Sequence, residues 1–326
     1  MGFDKKGSLI SYRPDIKVMD CTIRDGGLVN DFYFEDDFVR ELYHTCIKTG
    51  VDYMEFGYKA SKAIFSDKEF GKWKFCTEAD IRSIVGENNT DLKISIMADI
   101  DRTNFREDVI DRKDSVIDMI RVATYINQIP SAIEMINDFN AKGYETTVNI
   151  MALSHVNDHD LMEALELLSQ TGVDVIYLVD SFGTFYPEQI RDMAERYLIV
   201  GDKAGKKIGI HAHNNQQLAF ANTIEALTLG VSFIDSTVNS LGRGAGNCPT
   251  ELLLSFLKNP KYNIEPLLVF IKEHIVKLKE NGLVWGYDIP YLLTGILNRH
   301  PSSAINFIKE GKNDYTKFHE YLLDNG

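Results

Sequence analysis

The sequence predicts a closed (β/α)8 barrel, the TIM-barrel fold of the α/β class, followed by a short helical C-terminal appendage. Eight short apolar segments rich in β-branched residues recur along the chain, and stretches with helical periodicity separate them. Near-continuous apolar strands are typical of a parallel sheet that is buried on both faces. A doubly wound open sheet is the competing fold, but the first βα turn lacks its G-x-G-x-x-G motif.

The individual elements follow from these patterns. Strands are predicted at residues 17–20, 53–57, 93–98, 119–123, 145–151, 175–179, 207–210 and 233–236. Amphipathic helices are predicted at residues 36–48, 158–170, 187–200 and 216–229. Four glycines that follow a helix pattern and precede a strand are expected to take the left-handed conformation that ends a helix: Gly50, Gly143, Gly172 and Gly230.

The chain is expected to consist of a catalytic barrel and a smaller extension. The barrel is predicted to span residues 1–260, and a helical extension packed on it residues 261–326. Within the extension, residues 267–278 are amphipathic and a second helical stretch lies near residues 291–297. No Ser/Gly-rich linker, repeat or low-complexity tract separates the two parts in sequence.

Composition and charge exclude several classes of protein. Apolar residues make up 44% of the chain and charged residues 25%, as in an ordinary soluble enzyme. The net charge of −13 argues against nucleic acid as the main partner, since phosphate binding depends on clustered Lys and Arg. The N-terminal residues resemble no signal peptide, no apolar run reaches the roughly 18 residues of a membrane span, and the four cysteines form no C-x-x-C pair. We therefore expect a cytoplasmic protein.

Polar residues cluster where the predicted strands end, at the face that carries the reactive groups of a (β/α)8 barrel. Arg24 and Asp25 follow strand 1, and His211 and His213 follow strand 7. The two histidines are spaced two residues apart, so both imidazoles point to the same face of the strand. Two imidazoles and a carboxylate form a facial set that binds a divalent metal and leaves positions open for substrate. The alternative is a pair of hydrogen-bonded histidines at the rim.

Other features near the strand ends each allow two interpretations. The guanidinium of Arg24 either binds a carboxylate or enolate oxyanion beside the metal, or forms a salt bridge at the rim. The glycine-rich residues 242–246 either let a ligand approach the backbone or simply turn the chain. Residues 59–75 are long for a βα loop and form either a lid or a surface excursion. Cys248 is either a nucleophile or a small buried residue.

Several motifs of the chain resemble those of the DRE-TIM metallolyases (HMGL-like), and they occur in the same order. The D-x-T-x-R-D-G signature of that family corresponds to DCTIRDG at residues 20–26. The resemblance continues through IRVAT at 120–124, DSFG at 180–183, HAHNN at 211–215 and GAGN at 244–247, and so covers most of the chain. The motif GYDIPY at 286–291 is similar to the C-terminal segment of the 4-hydroxy-2-oxovalerate aldolase branch, which the chain resembles most.

The resemblance implies a divalent metal bound by four side chains. These ligands are Asp25, His211, His213 and Asn247. Mn²⁺ or Mg²⁺ is the favoured ion, and a site with two imidazoles and one carboxylate suits Zn²⁺ as well.

The resemblance also implies roles around a pyruvate enolate. Arg24 is expected to stabilise the enolate, and Tyr287 either to take part in proton transfer or to support a residue that contacts the metal or substrate. Ser181 is expected to bind the pyruvate carboxylate. Glu55 falls where related acyl-CoA enzymes place a functional Glu, and is either a substrate-binding residue or a rim partner for Arg24.

The implied activity is that of a metal-dependent aldolase, a lyase that breaks or forms a carbon–carbon bond through the enolate of a 2-oxo acid, with an aldehyde as the second substrate. The runner-up is a Claisen-type condensation of an acyl-CoA with a 2-oxo acid, as in the isopropylmalate and homocitrate synthases. A catalytically silent barrel acting as a partner subunit is the remaining alternative. Aldolases of this branch pair with an acylating aldehyde dehydrogenase, so such a partner is expected, and the oligomeric state stays open.

The sequence departs from this resemblance at Leu28. Pyruvate aldolases of the branch carry a histidine just after R-D-G-x that serves as general base, and a leucine cannot take a proton. Tyr58, His155, Tyr287 or a metal-bound water are the candidate substitutes. Otherwise, the second substrate differs from that of the branch.

Overall fold

The computed structural model describes residues 12–325, in which eight parallel strands form a closed barrel. The strands are β1 Lys17–Asp20, β2 Tyr53–Tyr58, β3 Lys93–Asp99, β4 Met119–Thr124, β5 Glu145–Ile150, β6 Val175–Asp180, β7 Lys207–Ala212 and β8 Phe233–Ser236. Each strand pairs with the next along the chain, and β8 pairs with β1 from Phe233 opposite Lys17 to Ser236 opposite Asp20. The predicted TIM barrel is confirmed.

Five strands extend one or two residues beyond their predicted ends: β2 to Tyr58, β3 to Asp99, β4 to Thr124, β6 to Asp180 and β7 to Ala212. Strand β6 continues to Asp180 and β7 continues through His211 to Ala212. Their backbones stay paired there, with Val179 opposite His211 and Asp180 opposite Ala212. The apolar pattern underestimates these two strands because Asp180 and His211, which are polar, lie inside them.

Helices alternate with the strands and continue beyond the barrel. The α-helices of the described chain are α1 Thr22–Gly26, α2 Asp36–Thr49, α3 Glu78–Val85, α4 Phe105–Asp108, α5 Ile129–Ala141, α6 Asp158–Ser169, α7 Pro187–Ala204, α8 Ala219–Leu229, α9 Thr250–Phe256, α10 Glu265–Phe270, α11 Val276–Glu280, α12 Ile289–Ile296, α13 Ser302–Lys309 and α14 Tyr315–Asp324. A π-helical turn, Ile271–Ile275, joins α10 to α11. Among residues 12–325, no helix is long and apolar enough to cross a membrane.

Three of the four predicted helix-ending glycines have the expected backbone. Gly50, Gly143 and Gly230 have φ of 78°, 90° and 130°. The prediction for Gly172 was wrong, since it is not among the residues with positive φ. A Cβ at Gly172 would lie 2.2 Å from Oδ1 of Asn140, so close packing against α5 accounts for the glycine there.

The interior of the barrel combines apolar and charged side chains. A compact cluster of Met19, Tyr53, Tyr177 and Phe233 lies among the strands. Arg121, which projects from β4, is fully buried with its guanidinium 4.4 Å from the ring centroid of Tyr177. The larger apolar core lies between the strands and the surrounding helices.

The C-terminal helices lie against the loops at the carboxyl ends of the strands. Trp285 donates from Nε1 to the carbonyl of Asn239 (3.0 Å), in the loop after β8. Thr184, in the loop after β6, donates to the carbonyl of Gly295 (2.6 Å). The tail thereby covers part of the catalytic face of the barrel, while the division of the chain at residue 260 stays a prediction.

Replacing Gly50 by alanine is expected to destabilise the protein more than replacing Gly205, which ends α7 with a similar φ of 69°. Forcing a residue with a Cβ into the left-handed region costs about 1–2 kcal/mol at either position. A Cβ on Gly50 would also lie 2.2 Å from the carbonyl of Lys261, whereas nothing lies within 4 Å at Gly205. Urea unfolding measures both variants, and equal losses would contradict close packing of α2 on the chain that enters the tail.

Candidate metal centre and active site

Asp25, His211 and His213 converge at the carboxyl end of the barrel. Asp25 lies in α1, directly after β1, while His211 is in β7 and His213 just beyond it. Their ligand atoms all lie within 4.8 Å of one another, and all three residues are buried. Oδ2 of Asp25 lies 3.2 Å from Nε2 of His211. The structure therefore brings the predicted triad together, although its role as a ligand set stays a prediction.

Asn247 completes this cluster. Its Nδ2 donates to Oδ2 of Asp25 (3.2 Å) and lies 3.2 Å from Nε2 of His211. Its Oδ1 is buried and has no hydrogen-bond partner in residues 12–325. A Cβ on Gly242 would lie 1.8 Å from that Oδ1, so the glycine-rich loop is what leaves room for the amide. A buried amide oxygen without a hydrogen-bond donor keeps a lone pair that can bind a cation.

The protonation states of Asp25 and His213 suit a cation. Burial raises the pKa of Asp25, but Arg24 and the two histidines more than offset this and hold the pKa well below its usual range. Burial lowers the pKa of His213 well below its usual range, so the ring is neutral and keeps a lone pair. Burial also lowers the pKa of His211, but its hydrogen bonds with Asp235 and Asp25 more than offset this and raise it above its usual range. Nδ1 of His211 lies 2.9 Å from Oδ2 of Asp235, and this contact orients the ring with Nε2 toward Asp25.

A second group of potential ligands, Cys21, His211 and Asp235, is less suited to a metal. Burial raises the pKa of the Cys21 thiol well above its usual range, and a protonated thiol is a poor ligand. Asp235 is occupied by two donors, Nη2 of Arg121 at 2.6 Å and Nδ1 of His211. We therefore assign Asp235 to orienting His211.

Arg24 both forms ion pairs and lines the cavity. It donates from Nη1 to Oδ2 of Asp25 (2.8 Å) and from Nε to Oε2 of Glu55 (2.8 Å). Its Nη2 is buried and has no partner within residues 12–325. Glu55 also accepts from Nη1 of Arg121 (3.0 Å) and does not line the cavity. The geometry thus favours Glu55 as the partner of Arg24 over a role in binding substrate.

A small cavity opens beside the cluster. Its polar lining consists of Arg24, Tyr58, Tyr125, Asn149, Ser181, His211, His213, Arg243 and His300. Its apolar lining consists of Leu28, Met97, Ala123, Met151, Ala152, Val179 and Phe182. A water-poor wall of this kind strengthens every charge interaction inside the cavity.

The other candidates for proton transfer lie outside this lining. Tyr287 is 48% exposed and does not line the cavity, so its role stays a sequence-based prediction. His155 is exposed, with Nε2 at 3.0 Å from the carbonyl of Asn298 in the tail. Tyr58 does line the cavity, and burial raises its pKa, so its phenol is protonated. Leu28 lies in the same wall.

The segment 59–75 packs against the barrel instead of projecting from it. Its Trp73 is fully buried and donates to the carbonyl of Phe34 (3.2 Å). Nζ of Lys74 lies 4.6 Å from the ring centroid of Tyr58 and 4.5 Å from that of Phe65, so a buried cation links the segment to a cavity residue. Whether the segment moves as a lid stays a prediction.

Four polar cavity residues had not been predicted: Tyr125, Asn149, Arg243 and His300. Arg243 was visible as the charged residue inside the glycine-rich run, where an arginine is otherwise unexplained. His300 gave no signal, because the path of the tail over the barrel cannot be inferred from local pattern. Cys248 is buried, and burial raises the pKa of its thiol to about 12, which favours the structural over the nucleophilic interpretation.

Arg121→Met is expected to destabilise the protein by about 3–5 kcal/mol, because it leaves Glu55 and Asp235 buried without their shared cation. Lys93→Met is the control, since Lys93 pairs with Glu145 (2.8 Å) at a partly exposed position. Its loss is expected to cost less than about 1 kcal/mol. Denaturant unfolding measures both, and equal effects would show that the buried cation does not stabilise the interior.

The chain is similar in sequence to a known family and to two characterised kinds of lyase. The HMGL-like family model matches residues 15–273. An oxaloacetate decarboxylase of Mycobacterium tuberculosis is 29% identical over 250 residues, which cover 74% of this chain and 69% of the relative. A 4-hydroxy-2-oxovalerate aldolase of Geobacillus genomosp. 3 is 27% identical over 242 residues, or 74% of this chain and 70% of the relative.

Solved structures share the fold. The N-terminal domain of a proposed aldolase from Bacteroides vulgatus superposes with a TM-score of 0.75 at 26% identity, covering 90% of this chain and 97% of that one. The HMG-CoA lyase of Bacillus subtilis superposes with a TM-score of 0.62 at 16% identity, covering 81% of this chain and 94% of that one. Because the family model spans most of the barrel, the resemblance seen in the motifs is confirmed: the chain belongs to the HMGL-like family and is a lyase.

Proposed function

We propose that this lyase breaks or forms the C3–C4 bond of a 2-oxo acid, one carbon removed from the oxo group, with a divalent metal at Asp25, His211, His213 and Asn247. The observation that carries the proposal is the meeting, at the edge of one cavity, of an ionised carboxylate, two imidazoles and a guanidinium with a free Nη2. The names of the two relatives, a decarboxylase and an aldolase, also describe cleavage of a carbon–carbon bond.

The chemistry of these four side chains supports the binding of a divalent metal. The buried carboxylate of Asp25, the neutral imidazole of His213, Nε2 of His211 and the unsatisfied Oδ1 of Asn247 are ligand atoms of the kinds that Mn²⁺, Mg²⁺ or Zn²⁺ binds. When bound, the ion supplies Lewis-acid stabilisation of the negative charge that develops on the oxo group.

The chain's own residues bind and orient the substrate. Arg24 donates from its free Nη2 to the developing enolate oxygen, and its ion pairs with Asp25 and Glu55 hold it in place. Ser181 accepts from the backbone N–H of Ala152 (2.9 Å), so its own hydroxyl is free to donate to the substrate carboxylate. Glu55 acts as a positioning residue for Arg24.

The proton of the substrate's hydroxyl group needs a different acceptor from that of the aldolase branch. Leu28 lies in the cavity wall where that branch is expected to carry its histidine. Of the side chains suggested as substitutes, Tyr58 is the one that lines the cavity among the described residues. We therefore propose that the Tyr58 hydroxyl relays this proton.

Mn²⁺ is expected to let the protein exchange the C3 protons of pyruvate with D₂O, which NMR follows without a second substrate. His211→Ala removes an imidazole and is expected to lose both Mn²⁺ binding, measured by calorimetry, and exchange. Arg24→Lys keeps a charge beside Asp25 and Glu55 but removes the free Nη2. It is expected to keep Mn²⁺ and to exchange about 10²–10³-fold more slowly.

His159→Ala is the matched control, because His159 is exposed on α6 and away from the cavity. It is expected to bind Mn²⁺ and to exchange like the unmodified protein. Full Mn²⁺ affinity in His211→Ala would remove His211 from the metal site. Unchanged exchange in Arg24→Lys would remove Nη2 of Arg24 from the mechanism.

Leu28→His is expected to speed cleavage of 4-hydroxy-2-oxovalerate about tenfold or more relative to proton exchange, because it adds a general base to the cavity wall. Leu28→Gln adds polarity of similar size but no base, and is expected to leave the ratio unchanged. Release of pyruvate measures cleavage. An equal increase in the cleavage rate of both variants would show that a polar side chain at position 28 is sufficient and that a general base is not required.

A further inference from the structure

The cavity contains a second guanidinium that no carboxylate of the described chain compensates. Arg243 donates from Nη2 to the carbonyl of Ser181 (2.8 Å), and its Nε is buried with no partner in residues 12–325. Arg24, in contrast, is paired with Asp25 and Glu55. A partly buried cation whose Nε is unsatisfied and whose Nη2 meets only a neutral carbonyl is suited to an anion that completes the site.

His300 brings a neutral donor to the same cavity. Its Nδ1 accepts from the backbone N–H of Ser302 (3.1 Å), which places the ring proton on Nε2. Burial, together with the positive charge of Arg243, lowers the pKa of His300 to about 4, so the ring is neutral near pH 7. Nε2–H has no partner within residues 12–325 and is free to donate to a ligand. A guanidinium beside a neutral N–H donor is suited to a carboxylate.

The position of Arg243 relates this pair to the metal site. Its backbone N–H donates to Oδ1 of Asp25 (3.2 Å), and its side chain runs from there to Ser181. In the proposed function, the first carboxylate of the 2-oxo acid is bound by the hydroxyl of Ser181. The remaining charge of Arg243 is therefore available to the part of the substrate beyond the bond that breaks.

We propose that Arg243 and His300 bind a second carboxylate, and that the substrate is a 4-hydroxy-2-oxo dicarboxylic acid. This inference rests on the proposed function and specifies its substrate class. For a five-carbon substrate, the products are pyruvate and glyoxylate, an aldehyde that carries a carboxylate.

Cleavage of this substrate needs no oxidant or reductant. The C3–C4 bond breaks, and its electron pair becomes the enolate of pyruvate, while the C4 hydroxyl loses its proton and becomes the aldehyde carbonyl. The enolate then takes a proton at C3. The distal carboxylate keeps its charge throughout, so Arg243 favours this reaction over decarboxylation, in which a bound carboxylate has to lose its charge.

The first test compares two substrates that differ at one end, 4-hydroxy-2-oxoglutarate and 4-hydroxy-2-oxovalerate, using the Mn²⁺-loaded protein and pyruvate release. The unmodified protein is expected to prefer the dicarboxylate about tenfold to a hundredfold in kcat/KM. Arg243→Gln is expected to abolish this preference, mainly by raising KM for the dicarboxylate. Arg196→Gln is the matched control, because Arg196 pairs with Asp192 (2.9 Å) on α7, outside the cavity.

A second test needs no turnover. Calorimetry with the Mn²⁺-loaded protein compares 2-oxoglutarate with 2-oxopentanoate, which lack the hydroxyl and differ by the distal carboxylate. The unmodified protein is expected to bind 2-oxoglutarate more tightly, and both Arg243→Gln and His300→Phe to reduce that difference. Equal binding of the two probes by the unmodified protein would overturn the proposal even if no substrate is cleaved.

The outcomes separate this inference from the proposed function. If pyruvate does not exchange its C3 protons, the proposed function fails whatever the probes show. If exchange is present but the dicarboxylate is not preferred, the inference alone fails. If Arg243→Gln lowers kcat/KM for both substrates and the affinity for both probes equally, Arg243 binds the carboxylate that they share, and the inference is again overturned.

Discussion

Arg121 is fully buried inside the barrel, where its guanidinium contacts Glu55 of β2 at 3.0 Å and Asp235 of β8 at 2.6 Å. Each of these carboxylates holds a second group that belongs to the candidate site. Glu55 holds Arg24, and Asp235 holds His211. One cation in the interior therefore fixes Arg24, the proposed oxyanion donor, on one side of the site and His211, a proposed metal ligand, on the other.

This arrangement explains why the barrel interior contains the charged residues Arg121, Glu55 and Asp235. Taking one cation and two carboxylates out of water is unfavourable by several kcal/mol per ion unless each finds a partner. The partners found here are the site residues themselves, so removing Arg121 would disturb Arg24 and His211 together. The ring of Tyr177, 4.4 Å from the guanidinium, adds a face that carries partial negative charge.

The centre of the site could be predicted from the sequence because it depends on local pattern. Asp25 and His211 fall at the ends of strands whose order fixes their position around the barrel, and the spacing of His211 and His213 sets their common face. The periphery could not be predicted, since it depends on where the tail crosses the barrel. His300 reaches the cavity by that route, whereas Tyr287 is left 48% exposed outside the lining. Gly172 was misjudged for the same reason, because its constraint is a neighbouring helix.

The two guanidiniums of the cavity differ in charge balance, and this difference suggests different duties. The charge of Arg24 is offset by Asp25 and Glu55 before any substrate arrives, so it suits an oxyanion that appears only during the reaction. Arg243 has only the neutral carbonyl of Ser181 and so suits a charge that the substrate already carries. Apolar walls around both, including Leu28, strengthen each interaction by keeping water away. In the proposed reaction, transient and permanent negative charge are thereby bound by separate cations within one cavity.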